Sequence, residues 1–217
     1  MRSRKHWHRR SWLREKPEAL DRRSWLREKP EALDRRSWLR EKPEELESSS
    51  FVATIARMFN GHEIESILVE LGISHVVWLP DSVLGPWETA LEESKRLKLI
   101  RVCREGEAWP IAAGLAIGGK TPIVVIQTTG LFESGDALRN VLFDLGFPVF
   151  AIVGARSWLN VQSKDTARRF AIPILDAWGI EHVIVESPDQ RQKIAQHYQQ
   201  CQAAGKPGMA LIAEGRM

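Results

Sequence analysis

Residues 108–127 read AWPIAAGLAIGGKTPIVVIQ, and this stretch contains the two kinds of element that decide the fold. Residues 108–117 are small and apolar, which is typical of a helix buried on all sides. A glycine pair then ends the helix. Residues 122–127 form a short run rich in β-branched side chains, as expected of a strand covered on both faces. A buried helix that leads directly into such a strand predicts an α/β domain.

The same alternation of helices and strands extends in both directions. The expected helices cover residues 61–71, 84–97, 108–117, 135–145, 164–178 and 190–204, and the expected strands cover 75–79, 99–103, 122–127, 148–153, 182–185 and 209–212. We therefore expect a flavodoxin-like, three-layer domain over residues 58–217 with a mostly parallel sheet. Ligands of such sheets bind beyond the carboxyl ends of the strands, so the loops there are the ones to search.

A 13-residue repeat precedes this domain. Residues 10–22 read RSWLREKPEALDR, residues 23–35 repeat them letter for letter, and a third copy diverges after Pro43. A proline in every unit limits any helix to about three turns, and isolated helices that short are marginal in water. We expect residues 1–50 to be a basic tail and linker, disordered or loosely helical, with Met58 as an alternative start. An adhesive arm for a partner, nucleic acid or membrane surface is the alternative.

Charge and composition argue against several classes of protein. The 217 residues carry a net charge of +3, but residues 1–47 hold 15 basic and 10 acidic side chains, so the remainder is slightly acidic. The domain therefore lacks the basic surface typical of nucleic-acid binding. No uninterrupted run of about 20 apolar residues predicts a membrane span. Cys103 and Cys201 are too few and too far apart for a disulfide framework, which fits a cytoplasmic protein.

Residues 114–121, GLAIGGKT, match the nucleotide-binding pattern G-x-x-x-x-G-K-[ST]. A phosphate loop needs a strand before it and a helix after it, because the N–H groups at the helix start bind the phosphates. Here the order is reversed, since a helix precedes the glycines and Pro122 opens a strand. We expect a glycine-rich helix end with Lys120 beside the last carbonyls. A nucleotide-binding protein remains the least favoured alternative.

Glu105 is the acidic residue that follows the expected strand 99–103. The helix after it is too apolar to lie on the surface, so the Glu105 side chain should point into a crowded space. Buried carboxylates persist only where a partner forms hydrogen bonds with them. Glu105 is therefore a candidate functional residue, and a solvated or helix-capping carboxylate is the alternative.

Three stretches at expected strand ends can be compared with known families. They read Glu105-Gly106-x-Ala108-x-x-Ile111-Ala112-Ala113-Gly114, Leu79-Pro80-Asp81-Ser82-x-Leu84 and Ile126-Gln127-Thr128-Thr129-Gly130-Leu131. Together they resemble the pyrimidine-binding domain of thiamine diphosphate enzymes, and most closely that of the phosphonopyruvate and sulfopyruvate decarboxylase group. The resemblance covers about residues 58–186 and leaves the tail unexplained.

The resemblance implies that the chain takes part in decarboxylating a small 2-oxo acid. Glu105 would hydrogen-bond N1′ of the cofactor's aminopyrimidine ring and so activate the cofactor. Two further groups of residues would form the site, Gln127, Thr128 and Gly130 at the pyrimidine end of the cofactor and Asp81 and Ser82 beside the substrate. A simple turn built by Pro-Asp-Ser is the alternative for the last two.

Two features depart from the pattern of that group. Thr128-Thr129 stands where the group has Asn-Ser, and Phe132-Glu133 stands where it has Gly-Asn. A bulky acidic pair at that point is able to alter or block the pocket. The sequence also contains no Gly-Asp-Gly, the mark of the domain that holds the diphosphate through a metal.

The resemblance therefore implies a separate diphosphate-binding β subunit, with the active site between the chains of a hetero-oligomer. That partner would hold Mg²⁺, and no metal ligand is expected in this chain. A non-catalytic scaffold or regulatory subunit of the same fold is the first alternative to the enzyme.

Overall fold

The computed structural model describes residues 58–79, 81 and 84–214. The repeat, Pro80 and Ser82 lie outside the described residues, and so do the expectations made for them. The helices are α1 (Gly61–Glu70), α2 (Glu88–Glu93), α3 (Glu105–Ile117), α4 (Thr128–Glu133), α5 (Gly135–Arg139), α6 (Ala167–Ala177) and α7 (Gln192–Ala204). The strands are β1 (His75–Trp78), β2 (Lys98–Arg101), β3 (Pro122–Gln127), β4 (Phe150–Ala155), β5 (Glu181–Val185) and β6 (Gly208–Ala213).

Local sequence signals fix the ends of the outer helices. Asn60 and Glu63 form a reciprocal capping box at the start of α1, with each backbone N–H donating to the other's side chain at 2.9 Å. At the other end of the domain, Gly205 stops α7 in the left-handed conformation, with a φ of 62°. Glycine adopts this conformation without a steric penalty, which is why it ends helices so often.

All six strands are parallel, in the order β2-β1-β3-β4-β6-β5. The expectation of a mostly parallel sheet is therefore confirmed. Alternate residues of β3 enter the two sides of the core, because Val124 and Ile126 belong to one buried cluster and Ile123 and Val125 to the other. A strand buried on both faces reads as a continuous apolar run, which explains the sequence PIVVIQ.

Helices cover both faces of the sheet and give the expected three layers. One face carries α3, α5 and α6, which bury Trp109, Leu138 and Leu175. The other carries α1, α2 and α7, which bury residues such as Ile64 and Ile194. The chain leaves β1 towards one face and β3 towards the other, so the loops after these neighbouring strands diverge. A crevice at such a divergence is the usual ligand site of an open parallel sheet.

Two helices differ from the sequence expectation. The expected helix 84–97 is a 3₁₀ turn, Gly85–Trp87, followed by the short α2, which ends at Glu93. The apolar loop after β3 is itself helical, since α4 begins at Thr128 and leads directly into α5 and a π-helical turn, Asn140–Asp144. These boundaries depend on packing against the sheet, which local propensity does not specify.

The nucleotide-binding pattern lies at a helix end, as expected. The backbone N–H groups of Gly118, Gly119 and Lys120 donate to carbonyls of the last turn of α3, at 2.9–3.0 Å. Gly119 has a φ of 72°, and β3 starts three residues later. The N–H groups that would bind phosphate are therefore already used by the helix.

Candidate active site

Glu105 is the first residue of α3 and lies just beyond the carboxyl end of β2. The structure therefore places it inside the helix, whereas the sequence predicted a loop residue before a helix that starts at residue 108. Its side chain is half-buried. Among the residues that the structure describes, no group donates a hydrogen bond to the Glu105 carboxylate. The sequence predicted a helix buried on all sides, but α3 buries one face and leaves Pro110, Gly114 and Ile117 exposed. The carboxylate thus stands at the N-terminal end of a half-buried helix, where the helix dipole favours negative charge.

The Glu105 side chain packs directly against the backbone of Gly130 in α4. A Cβ atom on residue 130 would stand 2.3 Å from Glu105 Cγ and 2.6 Å from Oε1. Such distances are well below van der Waals contact, so only glycine leaves room for Glu105 in this position. The structure therefore brings together two of the residues that the sequence predicted for one site.

Glu133 connects α4 to the first turn of α3. Its Oε2 accepts a hydrogen bond from the Gly106 backbone N–H at 2.7 Å, and its Oε1 accepts from the Arg104 guanidinium, with Arg104 Nε at 3.0 Å. The Arg104 hydrogen bond, with that from the Gly106 N–H, holds the pKa of Glu133 below its usual value. The acidic residue that the sequence analysis treated as a possible obstruction is thus engaged as a cap of α3.

Gln127 and Thr128 lie where β3 passes into α4. Gln127 is the half-buried N-cap residue of α4 and makes no side-chain capping hydrogen bond. Thr128 is completely buried, and its hydroxyl donates to Gly154 O at 2.8 Å and accepts from Arg156 N at 3.2 Å. The Thr128 hydroxyl therefore joins the ends of β3 and β4 and is not available for a ligand.

Asp81 lies in the loop after β1 and fixes that loop locally. Its Oδ1 accepts a hydrogen bond from Leu84 N at 2.8 Å, and its carbonyl accepts from Gly85 N at 3.0 Å. Both contacts hold Asp81 close to the start of the 3₁₀ turn Gly85–Trp87. Asp81 belongs to a second cluster at the same edge of the sheet, which includes Glu214.

Glu214 is a buried acidic residue at this edge of the sheet that the sequence did not single out. It follows β6 and is only 6% exposed. Burial, and then the negative charge of Asp81, raises the pKa of Glu214 to about 8. One of the signals that pointed to Glu105, an acidic residue two positions beyond an expected strand, is also present at Glu214. What the sequence does not contain is the strand order that brings β6 next to β4.

Two structural observations concern other classes of site. No helix within the described ranges is long and apolar enough to cross a membrane. In the same part of the chain, no group of three or more His, Cys, Asp or Glu side chains is arranged to hold a metal ion.

Comparison with known proteins gives a consistent set of relatives, although no family model matches the chain. Sulfopyruvate decarboxylase subunit alpha of Methanocaldococcus jannaschii is 24% identical over 136 residues, which is 62% of this chain and 80% of that protein. The subunit alpha of Methanococcus maripaludis is 22% identical over 129 residues, 58% of this chain and 77% of that protein. Phosphonopyruvate decarboxylase of Streptomyces viridochromogenes is 24% identical over 152 residues, 68% of this chain but only 37% of that protein. The chain is thus similar, at low identity, to decarboxylase alpha subunits and to part of a longer decarboxylase.

Proposed function

We propose that this chain is the pyrimidine-binding, α-type subunit of a thiamine diphosphate-dependent decarboxylase that acts on a small 2-oxo acid such as sulfopyruvate or phosphonopyruvate. The relatives support the reaction, because each is named as a decarboxylase or its subunit. The observation that carries the proposal is the close contact between the Glu105 side chain and Gly130. It keeps a carboxylate at the edge of the sheet where ligands of parallel α/β domains bind.

The residues around Glu105 fit an aminopyrimidine ring. A half-exposed carboxylate that receives no hydrogen bond from the described residues is able to bind a ring nitrogen, and Gly130 leaves the room that the Glu105 side chain occupies. Glu105 would hold N1′ of the ring, Gln127 and Gly130 would line the pyrimidine end, and Thr128 would shape it from behind, since its hydroxyl is already used. When bound, thiamine diphosphate supplies the electron sink that decarboxylation of a 2-oxo acid requires. The chain's own contribution is to orient the ring and to control a proton at N1′.

Asp81 and Ser82 would lie beside the substrate in this proposal. Asp81 stands after β1, next to the point where the loops of β1 and β3 diverge. Its side chain accepts a hydrogen bond from Leu84 N, and its backbone carbonyl accepts one from Gly85 N. Ser82 would offer a hydroxyl to the substrate carboxylate, but it lies outside the described residues. Of these two residues, only Asp81 has a described position that supports the proposed substrate contact.

A partner subunit is part of the proposal. Two relatives are named subunit alpha, and in the third the matching region is 37% of a longer chain. One arrangement that accounts for both cases is a pyrimidine-binding domain that works with a second domain, either in trans or in the same chain. We infer that a β subunit binds the diphosphate through Mg²⁺ and completes the site in a hetero-oligomer. A cytoplasmic location is also proposed, supported by two unpaired cysteines.

Co-expression with candidate β subunits that carry Gly-Asp-Gly tests the proposal. Binding of thiamine diphosphate with Mg²⁺ is measured by calorimetry, and carbon dioxide release is measured from sulfopyruvate and phosphonopyruvate. Glu105→Gln should lower kcat by about 10²- to 10⁴-fold, the usual contribution of a positioned proton-transfer group. Glu93→Gln, on the exposed side of α2, is the matched control and should behave as wild type.

The main alternative, a non-catalytic scaffold of the same fold, is separated by the same experiment. A complex that forms with the β subunit but neither binds the cofactor nor releases carbon dioxide would contradict the enzyme and favour the scaffold. The departure at Phe132-Glu133 gives the scaffold less support than the sequence indicated, because the Glu133 carboxylate is engaged by Arg104 and Gly106.

A further inference from the structure

The carboxyl group of Glu214 has no role in the chemistry proposed above. Its backbone is fixed at the end of β6, where Glu214 N donates to Ala155 O at 3.2 Å and Glu214 O accepts from Leu159 N at 2.7 Å. Both bonds are made to the end of β4 and the loop that follows it. The side chain therefore starts from a fixed point at the carboxyl edge of the sheet.

The Glu214 side chain turns into the protein and lies against Gly154. A Cβ atom on residue 154 would stand 2.5 Å from Glu214 Oε1, so the carboxyl group occupies the space that a larger residue would fill. Oε1 is fully buried, and none of the described residues forms a hydrogen bond with it. An ionised carboxylate in this position is costly, whereas a protonated carboxyl group relieves most of the cost.

The Asp81 loop packs against the same glycine. Leu84 donates its backbone N–H to Asp81 Oδ1 at 2.8 Å. A Cβ atom on residue 154 would stand 3.4 Å from Leu84 Cγ. The loops after β1, β4 and β6 thus converge, and the negative charge of Asp81 acts on Glu214. The positive charge of Arg156 acts on Glu214 in the opposite direction, but its guanidinium is paired with Asp165 at 2.7 Å, and the charge of Asp165 counteracts that of Arg156.

We propose that Glu214 and Asp81 form a coupled pair of carboxyl groups where the loops after β1, β4 and β6 converge, and that the buried Glu214 carboxyl group holds a proton while Asp81 lies beside an anionic substrate. The identity of the substrate rests on the proposed function. Sulfopyruvate and phosphonopyruvate each carry a carboxylate and a second acidic group, so two ionised carboxylates at the site would repel them. One retained proton removes half of that repulsion and leaves a carboxyl group able to donate a hydrogen bond.

Carbon-13 NMR titration of the side-chain carboxyl groups in the full chain tests the pair without any need for activity. Glu214→Gln assigns the Glu214 signal, and Glu93→Gln is a control that should leave it unchanged. The expected result is a Glu214 signal that titrates well above an ordinary glutamate and moves to lower pH in Asp81→Asn. A Glu214 signal that titrates as an ordinary glutamate, or that Asp81→Asn does not move, overturns the pair.

The substrate role is tested with the co-expressed complex by following KM and kcat separately against pH. Above about pH 8 the wild-type KM should rise by about tenfold per pH unit, because the pair loses its proton. Glu214→Gln, which remains neutral, should keep KM constant over that range, and a purely structural role would not separate the two profiles. Parallel KM profiles overturn the substrate role. A pair that titrates as expected in a complex with no decarboxylase activity overturns the proposed function instead.

Discussion

Glu105 and Gly130 are in contact across α3 and α4, two helices that begin at the same edge of the sheet beyond β2 and β3. The Glu105 side chain passes close over the α4 backbone. A Cβ atom on residue 130 would stand only 2.3 Å from Glu105 Cγ, so every residue except glycine is excluded at position 130. Gly130 has an ordinary helical φ, so the glycine is required by this close approach and not by backbone conformation. The position of the candidate catalytic carboxylate thus depends on a residue 25 positions away.

The first prediction concerns Gly130→Ala. The added methyl group must displace Glu105 or shift α4, and overpacking of this kind usually costs about 1–3 kcal/mol. We expect a lower free energy of unfolding by chemical denaturation and a weaker binding of thiamine diphosphate by the complex.

Gly114→Ala provides the matched control for that change. Gly114 is also helical, but a Cβ there meets no atom within 4 Å. Alanine should stabilise α3 by about 0.5–1 kcal/mol and leave cofactor binding unchanged. If Gly130→Ala behaves like Gly114→Ala in both measurements, Glu105 is not held as described.

The second prediction concerns Glu133→Gln, which removes the charge that caps α3. The pKa of Glu133 is lowered in the folded chain by Arg104 and by the Gly106 N–H, so the carboxylate stabilises the fold above its ordinary pKa of 4.5. This contribution is lost as the pH falls through the lowered pKa. The melting temperature of the variant should lie below that of wild type at neutral pH, and the difference should close under acid conditions. A difference that stays constant with pH would contradict the assignment.

The third prediction concerns the stability of the chain against pH. The pKa of Glu214 is raised from 4.5 to about 8 on folding, so the folded chain holds a proton that the unfolded chain releases. Wild type should therefore lose stability as the pH rises from about 4.5 to about 8, by about 1 kcal/mol per pH unit. Glu214→Gln should remove this slope, as measured by urea unfolding across that range.

The titration of His75 changes the stability of the chain in the opposite direction, so its effect must be separated from that of Glu214. Burial, with the charges of Lys120 and Lys98, lowers the pKa of His75, so its contribution to stability increases as the pH rises towards the ordinary value of 6.5. Only the difference between wild type and Glu214→Gln isolates Glu214. An unchanged slope in the variant would mean that Glu214 is ionised in the folded chain.

The fourth prediction concerns Lys120 in the nucleotide-binding pattern. Because the N–H groups of Gly118, Gly119 and Lys120 are bonded to α3, Lys120→Ala should leave the affinity for ATP unchanged. Equilibrium binding of a fluorescent ATP analogue measures this. A clear loss of affinity in the variant would restore the nucleotide-binding alternative.

Much of the fold could be predicted because strands that are buried on both faces leave a local signal. The run 122–127 became β3 with the same boundaries, and the reversed order of helix and strand around Gly119 identified a helix end. The start of α3 at Glu105 could not be predicted in this way. Its first turn is capped by Glu133, a residue from another helix, and local sequence carries no information on such a contact.

The amino-acid order by itself determined an alternating parallel α/β domain and placed Glu105 directly after a strand, because periodicity and burial are properties of short segments. Only the tertiary structure decided which strands are neighbours. The order of the sheet brings Gly154, Asp81 and Glu214 to one place, although they come from three separate parts of the chain. A buried carboxyl group acquires its pKa from what surrounds it in space, and those surroundings exist only once the sheet has formed.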